Sequence, residues 1–281
     1  MAFLILNYGM MRYLLFQLFL LVSAASFAQS KPFVLGVIEE INSNVLNEKR
    51  VLNIYLPDGY NQNDTTNYPV IYLLDGSADE DFIHIAGLVQ FNSFEWVNRV
   101  PKSIVVGIAT VDRRRDYTQP SKVSEEQKAF PTSGGSAKFI AFIEKELQPF
   151  IQKKFRTTSS KTIIGQSLGG LLATEILLTK PSLFTKYIIV SPSLWWDNAS
   201  LLQGKVTNWS VNDSLRVYIA VGKEGLTPGA NPRVMEVDAN LLFEKLKAFS
   251  PRMQCYFDYL PDENHATILH QAVNNAFIRL N

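Results

Sequence analysis

A serine between two glycines is the residue of this chain whose type and spacing most directly predict chemistry. Ser167 is the centre of a G-x-S-x-G pattern at residues 165–169, which follows a β-branched run and precedes an apolar, helix-forming stretch. Strand, tight turn and helix in this order lift a serine hydroxyl above a sheet, within reach of a base. The pattern therefore predicts that Ser167 is a nucleophile in acyl transfer. A tight strand-to-helix turn without chemistry is the alternative interpretation.

A serine nucleophile needs a base, and the chain has only three histidines. His265 lies on a predicted loop after the last predicted strand, whereas His270 falls within the helix that follows. His84 precedes the nucleophile, against the order serine, acid, histidine that accompanies this type of elbow. We therefore expect His265 to be the base, and His84 to be packed or hydrogen-bonded on a helix.

An acid that orients the base should follow a strand between the serine and the histidine. Glu224 lies on the turn after the predicted strand 215–221 and is the acid that we favour. Asp238, Glu236 and Asp262 compete with it, because a displaced acid loop would bring any of them to the imidazole. A serine and a histidine that work without a close carboxylate are a further alternative.

The negative charge that develops in acyl transfer needs hydrogen-bond donors, which backbone N–H groups can supply. Leu168 opens the helix after the elbow, where N–H groups are free and the helix dipole is positive. The second donor should come from the loop after the apolar run 69–74, at Ser77 or Gly76. We expect Leu168 and Ser77 to form the oxyanion hole, and Gly76 to contact the substrate.

Two adjacent tryptophans and three consecutive arginines follow predicted strands. Trp195 and Trp196 would wall a substrate pocket, and packing into the core is the alternative. The arginines at 113–115 open a long predicted loop, 112–136, and would bind an anionic group or orient a buried acid. Pairing with nearby carboxylates is the alternative. We expect Trp195, Trp196 and Arg115 to contact the substrate.

Alternation of buried strands with helices must position these residues. Continuous apolar runs predict strands at 69–74, 103–108, 185–190, 215–221 and 253–260. Apolar residues at helical spacing predict helices at 79–97, 139–150 and 237–249. Two β-rich segments, 32–41 and 50–56, predict an antiparallel pair at one sheet edge. The order predicts an α/β domain with a mostly parallel sheet, whose ligand sites lie beyond the carboxyl ends of the strands.

Composition restricts the class of protein. The chain has 281 residues, of which 47% are hydrophobic and 19% charged, with a net charge of +1. It is long enough for a full core and has no polyelectrolyte character, so nucleic acid is not a predicted partner. Cys255 is the only cysteine, which excludes an internal disulfide, and its alternating context predicts a buried strand position.

The N-terminal segment 1–28 has the composition of a secretory signal peptide, with an apolar core that is short for a membrane span. Small residues at Ser26 and Ala28 fit cleavage before Gln29. We expect a secreted or periplasmic protein without stable membrane insertion after cleavage, and a single domain at 29–281. An uncleaved anchor is the alternative.

Six segments, taken in order, resemble those of one enzyme family. They are residues 50–57, 68–76, 115–118, 165–170, 191–196 and 263–265. The chain resembles the putative esterase family, which is similar to esterase D, to the ferric-siderophore trilactone esterases and to feruloyl and acetyl-xylan esterases. The resemblance implies an α/β-hydrolase fold with no metal or organic cofactor. It also implies Ser167 as nucleophile, His265 as base, and Ser77 and Leu168 as oxyanion donors.

One departure from the family concerns the acid. Glu224 lies two positions beyond Gly222, whereas the family often has its acid three positions beyond the strand-end glycine. The tryptophan pair and the arginine loop look most like the siderophore-esterase branch. We expect an exported serine carboxylic-ester hydrolase that forms an acyl-enzyme, acting on a small-molecule siderophore-type or carbohydrate-linked acyl ester. A binding protein on a hydrolase scaffold and an acyltransferase are the alternatives.

Overall fold

A computed structural model describes residues 8–23, 30–204, 215–227, 231–250 and 253–280. Its contacts divide the chain into two units, Met1–Val34 and Leu35–Asn281. The first unit contains helix α1 (Tyr8–Ser23). No helix of the described residues is long and apolar enough to cross a membrane. The predicted cleavage position before Gln29 lies outside the described residues, so the signal peptide stays a prediction.

The second unit alternates strands and helices, as the apolar runs predict. Its strands are β1 (Val37–Ser43), β2 (Glu48–Tyr55), β3 (Tyr68–Leu73), β4 (Ile104–Ile108), β5 (Thr157–Gln166), β6 (Lys186–Val190), β7 (Arg216–Gly222) and β8 (Gln254–Leu260). Its α-helices are α2 (Phe82–Asn92), α3 (Arg113–Tyr117), α4 (Ser124–Ala129), α5 (Ser136–Phe142), α6 (Gln148–Lys154), α7 (Leu168–Thr179), α8 (Trp196–Gln203), α9 (Met235–Phe249) and α10 (Ile268–Arg279). A π-helical turn at Ile143–Leu147 joins α5 to α6, and a 3-10 helix lies at Pro181–Leu183.

The eight strands form one sheet in the order β1-β2-β4-β3-β5-β6-β7-β8. β1 pairs antiparallel with β2, and β2 pairs antiparallel with β4. Every other neighbouring pair is parallel. The sheet confirms the predicted α/β-hydrolase fold, including the antiparallel N-terminal edge.

The two faces of the sheet belong to two separate hydrophobic cores. Successive side chains of a strand point to opposite faces, so Ile163 and Ile164 lie in different cores. Ile163 packs in the core that contains Leu172 of α7, whereas Ile164 packs with Phe82 of α2 and Val273 of α10. Burial on both faces explains why the strands have continuous apolar runs.

Some predicted boundaries are wrong. The predicted loop 112–136 contains α3 and α4, and α3 begins where the Asp112 side chain accepts a hydrogen bond from the Arg115 N–H at 3.0 Å. The predicted helix 79–97 is shorter, because α2 ends at Asn92. Cys255 is confirmed as a buried residue of β8, where burial raises the pKa of its thiol to about 12.

Candidate active site

The turn between β5 and α7 holds Ser167 in a strained backbone conformation. Its φ is 58° and its ψ is −118°, a region that L-residues rarely occupy. A Cβ at Gly165 would lie 2.4 Å from the Gly169 carbonyl oxygen, which explains the glycine at 165. The Ser167 N–H donates to the Val190 carbonyl at 3.0 Å. The elbow is therefore fixed by close backbone contacts and by a bond to β6.

His265 and Glu224 line up behind the serine. His265 Nε2 lies 3.0 Å from Ser167 Oγ, and His265 Nδ1 lies 2.5 Å from Glu224 Oε2. Since the Nδ1 proton is donated to the carboxylate, Nε2 is left as the acceptor for the serine proton. The Glu224 side chain is 4% exposed and that of His265 is 48% exposed. This arrangement can remove a proton from Ser167 at an edge that solvent reaches.

Glu224 is held by two further donors. The Ser191 hydroxyl and the Gly222 N–H, the latter at 3.2 Å, both donate to Oε1. Burial opposes ionisation of Glu224, but the hydrogen bonds from His265, Ser191 and Gly222 outweigh it, as does the attraction to His265 when the ring is protonated, so the pKa of Glu224 is lowered. Glu224 is therefore an ionised acceptor at neutral pH.

The three competing carboxylates lie elsewhere. Glu236 accepts from the Glu224 N–H at 2.8 Å and from the Gly225 N–H at 3.0 Å, so it supports the turn that carries the acid. Asp238 is buried and accepts from Arg233 Nε at 2.7 Å. Asp262 is exposed on the loop before the histidine. Of the four candidates, the structure brings only Glu224 to the imidazole.

The N–H groups of Leu168 and Ser77 are available to donate hydrogen bonds to an oxyanion. Leu168 is the first residue of α7, so no carbonyl of that helix accepts from its N–H. Within the described residues, no protein atom accepts from the Ser77 N–H. Both positions lie at the carboxyl edge of the sheet, after β5 and β3. Their role in an oxyanion hole stays a prediction.

Gly76 is buried just after the end of β3, and its predicted contact with a substrate stays a prediction. Its N–H donates to the Ile108 carbonyl at 3.0 Å, and its own carbonyl accepts from Asn53 Nδ2 at 2.8 Å. A Cβ at Gly76 would lie 2.4 Å from Gly107 Cα. The glycine is needed for close packing against β4, and both of its polar groups are used inside the protein.

A partly buried ion pair ties the loop after β3 to the elbow. Arg113 Nε and Nη2 donate to the two carboxylate oxygens of Asp75 at 2.8 and 3.0 Å, and Nη2 also donates to the Gln166 carbonyl at 3.2 Å. Asp75 has a φ of 53°, and its N–H donates to Tyr117 Oη at 3.0 Å. Burial raises the pKa of Asp75, although Arg113 opposes this effect. The pair fixes the segment that leads directly to Ser77.

Arg115 is paired with carboxylates, as the alternative interpretation expects, and its contact with a substrate stays a prediction. Its Nε lies 2.8 Å from Asp116 Oδ1, and its Nη2 lies 2.6 Å from Glu48 Oε1. Asp116 is also paired with the buried Arg50 at 2.6 Å. Helical phase explains the difference, because α3 turns Arg113 toward the elbow and Arg115 toward β2. Of the three arginines, Arg113 is the one that contacts the elbow, and the sequence did not single it out.

The two tryptophans have different environments. Trp196 is 0% exposed, its Nε1 donates to the Gln119 carbonyl at 2.9 Å, and its ring packs edge-on against Phe130. The prediction that Trp196 walls a substrate pocket is therefore wrong, because it is a core residue. Trp195 is partly exposed, and its contact with a substrate stays a prediction.

Two serines after β6 belong to the site and were missed as functional residues. Ser191 is the donor to Glu224, and the Ser193 N–H donates to the Ser167 carbonyl at 3.0 Å. Ser193 Oγ also lies 3.3 Å from Ser167 Oγ. β5 and β6 are parallel neighbours, so the residues after Val190 must lie beside the elbow. That adjacency was the signal in the sequence that could have found them.

The other two histidines lie apart from the serine. His84 Nδ1 lies 2.9 Å from His270 Nε2, and the two rings connect α2 with α10. The prediction that His84 is hydrogen-bonded on a helix is therefore confirmed. Burial and the neighbouring His84 lower the pKa of His270. Among the described residues, no group of three or more His, Cys, Asp or Glu side chains could hold a metal ion.

The chain is similar to known hydrolases in sequence and in fold. A profile of the family described as putative esterase matches residues 43–246. The ferri-bacillibactin esterase BesA of Bacillus subtilis (strain 168) is 32% identical over 249 residues, which are 82% of this chain and 84% of that protein. The crystal structure of an IroE-like serine hydrolase from Shewanella oneidensis aligns with a TM-score of 0.74 at 31% identity, over 86% of this chain and 79% of that chain. The BES protein from Bacillus cereus aligns with a TM-score of 0.75 at 28% identity, over 92% and 98% of the two chains.

Proposed function

The chain belongs to the putative esterase family and is a carboxylic-ester hydrolase, and on that premise we propose that it cleaves a siderophore-type ester through an acyl-enzyme on Ser167. The observation that carries the mechanism is the continuous line of contacts from Ser167 Oγ to His265 at 3.0 Å and from His265 to Glu224 at 2.5 Å. A nucleophile, a base and an orienting acid in this geometry are the groups that serine acyl transfer requires.

In the first half of the reaction, Ser167 Oγ attacks the ester carbonyl and its proton passes to His265 Nε2. Glu224, ionised and buried, stabilises the imidazolium that forms and keeps Nδ1 protonated. The N–H groups of Leu168 and Ser77 hold the oxyanion of the tetrahedral intermediate. His265 then gives its proton to the departing alcohol oxygen, which leaves the acyl group on Ser167.

In the second half, water replaces the alcohol. His265 Nε2 accepts a proton from the water as the water oxygen attacks the acyl carbonyl. Collapse of the second tetrahedral intermediate breaks the bond to Ser167 Oγ, and the imidazolium proton returns to that oxygen. The products are a carboxylic acid and the original serine.

Two observations support a siderophore-type substrate. The relative from Bacillus subtilis is named for ferri-bacillibactin, and this chain matches it over 82% of its length. The His265 side chain is 48% exposed, so the nucleophile lies at an open edge that a bulky ester can approach. We also propose that the segment 1–28 is removed on export, which would place the enzyme in the periplasm or outside the cell.

A comparison of three ester substrates tests the proposed substrate class. The purified protein would receive a ferric catecholate trilactone, a feruloyl sugar ester or an acetylated xylan, and the products would be identified by mass spectrometry with Ser167→Ala as the blank. We expect a kcat/KM for the trilactone at least about tenfold above the two carbohydrate esters, a difference of ~1.4 kcal/mol. A preference for either carbohydrate ester would contradict the substrate class. Transfer of the acyl group to added alcohol in place of water would identify an acyltransferase.

A further inference from the structure

We propose that Ser193 is a second catalytic hydroxyl, which donates a hydrogen bond to the nucleophile oxygen of Ser167 and assists breakdown of the acyl-enzyme. This role rests on the proposed acyl-enzyme mechanism. Ser193 Oγ lies 3.3 Å from Ser167 Oγ, and among the described residues this is the hydrogen bond that the Ser193 side chain makes. Catalytic hydrogen bonds are often this long before a substrate is bound and shorten in the complex.

The direction of the hydrogen bond follows from counting protons. Glu224 is ionised and can only accept, so His265 Nδ1 carries the proton between them. Nε2 of the neutral ring is then an acceptor, and the single proton of Ser167 Oγ points to it across 3.0 Å. No proton of Ser167 is left for Ser193. The hydrogen between the two hydroxyls must therefore belong to Ser193, which donates to Ser167 Oγ.

Ser193 is held in place by its own backbone. Its N–H donates to the Ser167 carbonyl at 3.0 Å, and its carbonyl accepts from the Trp196 N–H at 3.2 Å. The preceding Pro192 has a fixed φ and packs so closely on α7 that a Cβ at Gly170 would lie 3.0 Å from Pro192 Cα. Ser193 is 3% exposed, so water competes little for its hydroxyl. A donor that is placed in advance costs no reorganisation during the reaction.

The two halves of the reaction gain unequally from this donor. Only an interaction that is stronger in the transition state than in the preceding ground state accelerates a step. Before acylation, Ser167 Oγ is a hydroxyl oxygen that already accepts well from Ser193. In the acyl-enzyme, Oγ is the alkyl oxygen of an ester, which is a poor acceptor, and it gains negative charge as its bond to the acyl carbon breaks.

Deacylation is therefore the step that Ser193 favours. Water adds to the acyl carbon and gives a proton to His265, the bond from carbon to Ser167 Oγ breaks, and His265 returns a proton to Oγ. Ser193 keeps its own proton throughout and lowers the energy of the departing oxygen. The expected loss without this hydroxyl is about tenfold in the deacylation rate, smaller than the ~10²- to 10³-fold for a donor to the full oxyanion.

A matched pair of variants isolates the hydroxyl. Thr and Val have nearly the same shape, so Ser193→Thr and Ser193→Val disturb the packing equally and differ in the donor. With p-nitrophenyl acetate, the burst of nitrophenolate reports acylation and the steady rate reports deacylation. We expect a kcat for Ser193→Val about tenfold below that of Ser193→Thr, with kcat/KM within about twofold and acetyl-enzyme accumulating in the intact-mass spectrum. A merely structural loss would lower both constants together.

Ser103→Ala is the control for loss of a buried hydroxyl. Ser103 is 1% exposed, and its Oγ donates to the Pro101 carbonyl at 2.6 Å. It precedes β4 at the amino ends of the parallel strands, whereas Ser167 follows the carboxyl end of β5. We expect its burst and its steady rate to match the wild type. If the larger side chains do not fit at position 193, Ser193→Ala against the wild type gives the same comparison.

Three outcomes decide between the claims. A slow steady rate in Ser193→Val with a normal burst supports the role of Ser193. Equal steady rates in the Thr and Val variants, with a burst in the wild type, overturn this role and leave the acyl-enzyme mechanism intact. A wild-type protein that turns over ester without burst or acetyl adduct overturns the acyl-enzyme mechanism, and the role of Ser193 with it.

Discussion

The two sides of the site around Ser167 are made from different kinds of group. On the acid–base side, the atoms proposed to do the chemistry belong to side chains, those of His265 and Glu224. On the oxyanion side, they are the backbone N–H groups of Leu168 and Ser77. A side-chain atom can be deleted by substitution, whereas a backbone donor can only be displaced. The acid–base side is therefore open to direct mutation, and the oxyanion side must be tested through what supports it.

The supports differ as well. Glu224 is held by neutral donors within its own neighbourhood, the Ser191 hydroxyl and the Gly222 N–H. The segment before Ser77 is held by a bidentate ion pair between Asp75, which follows β3, and Arg113, which begins α3 after β4. One side depends on hydrogen bonds from neutral groups and the other on a charge pair that joins the segment after β3 to α3. Loss of one partner of such a pair leaves a buried charge uncompensated.

The largest effect should follow from removal of the base on the acid–base side. His265→Ala leaves Ser167 without a proton acceptor, so we expect kcat/KM for p-nitrophenyl butyrate to fall by about 10⁵-fold. His270→Ala is the control, because His270 lies on α10 and contacts His84. The control should retain activity within about threefold. A His265→Ala enzyme that keeps a tenth of the wild-type kcat/KM would contradict the assignment of His265 as the base.

Replacement of the acid should cost less, since the base remains. Glu224→Gln keeps the shape and removes the charge that stabilises the imidazolium, and we expect a loss of about 10³-fold in kcat. Asp262→Asn changes the exposed carboxylate on the histidine loop and should have no measurable effect. A larger loss of kcat in Asp262→Asn than in Glu224→Gln would show that Glu224 is not the catalytic acid.

The same substitution should change how stability depends on pH. The pKa of Glu224 is lowered from 4.5 in the folded state, so its ionisation stabilises the fold above pH 4.5 and this contribution is lost as the pH falls through the lower folded value. Urea unfolding of the wild type and of Glu224→Gln at neutral and acid pH measures it. The advantage of the wild type should shrink toward low pH, and an advantage that grows there would have the wrong sign.

On the oxyanion side, we expect a smaller loss of kcat, because the substitution leaves both backbone N–H donors in the protein. Arg113→Ala frees the Asp75 loop, and displacement of a donor by about 1 Å costs on the order of 10²-fold in kcat. Arg113→Lys keeps the charge without the bidentate fork and should recover part of the loss. Arg114→Ala is the matched control, because Arg114 is exposed and stacks on Phe130. Equal kcat values for Arg113→Ala and Arg114→Ala would contradict the proposal that Arg113 supports the oxyanion side.

Parts of the site with a local signature could be predicted from the sequence. The glycine spacing around Ser167 needs only five residues, and the chain has only three histidines from which to choose a base. The acid was less certain, because four carboxylates precede or follow the same loops and only the folded geometry brings Glu224 to the imidazole. The sheet could be predicted because strands buried on both faces have continuous apolar runs.

The remaining errors arise where neighbours in the chain point in different directions. Arg113 reaches the elbow and Arg115 reaches Glu48, although only one residue separates them on a short helix. Trp195 and Trp196 are adjacent, yet one is partly exposed and the other is buried beneath Phe130. Orientation of this kind depends on helix phase and on packing partners that are distant in the chain, and periodicity over five residues does not determine it.

Capture of the covalent intermediate tests the central claim most directly. The protein would be mixed with p-nitrophenyl acetate, quenched in acid within the burst, digested and searched by peptide mass spectrometry for the acetyl group, with Ser167→Ala treated in parallel. We expect one acetyl group on Ser167 in the wild type and none on the variant protein. An acetyl group on another residue, or turnover that persists in Ser167→Ala, would contradict the acyl-enzyme mechanism.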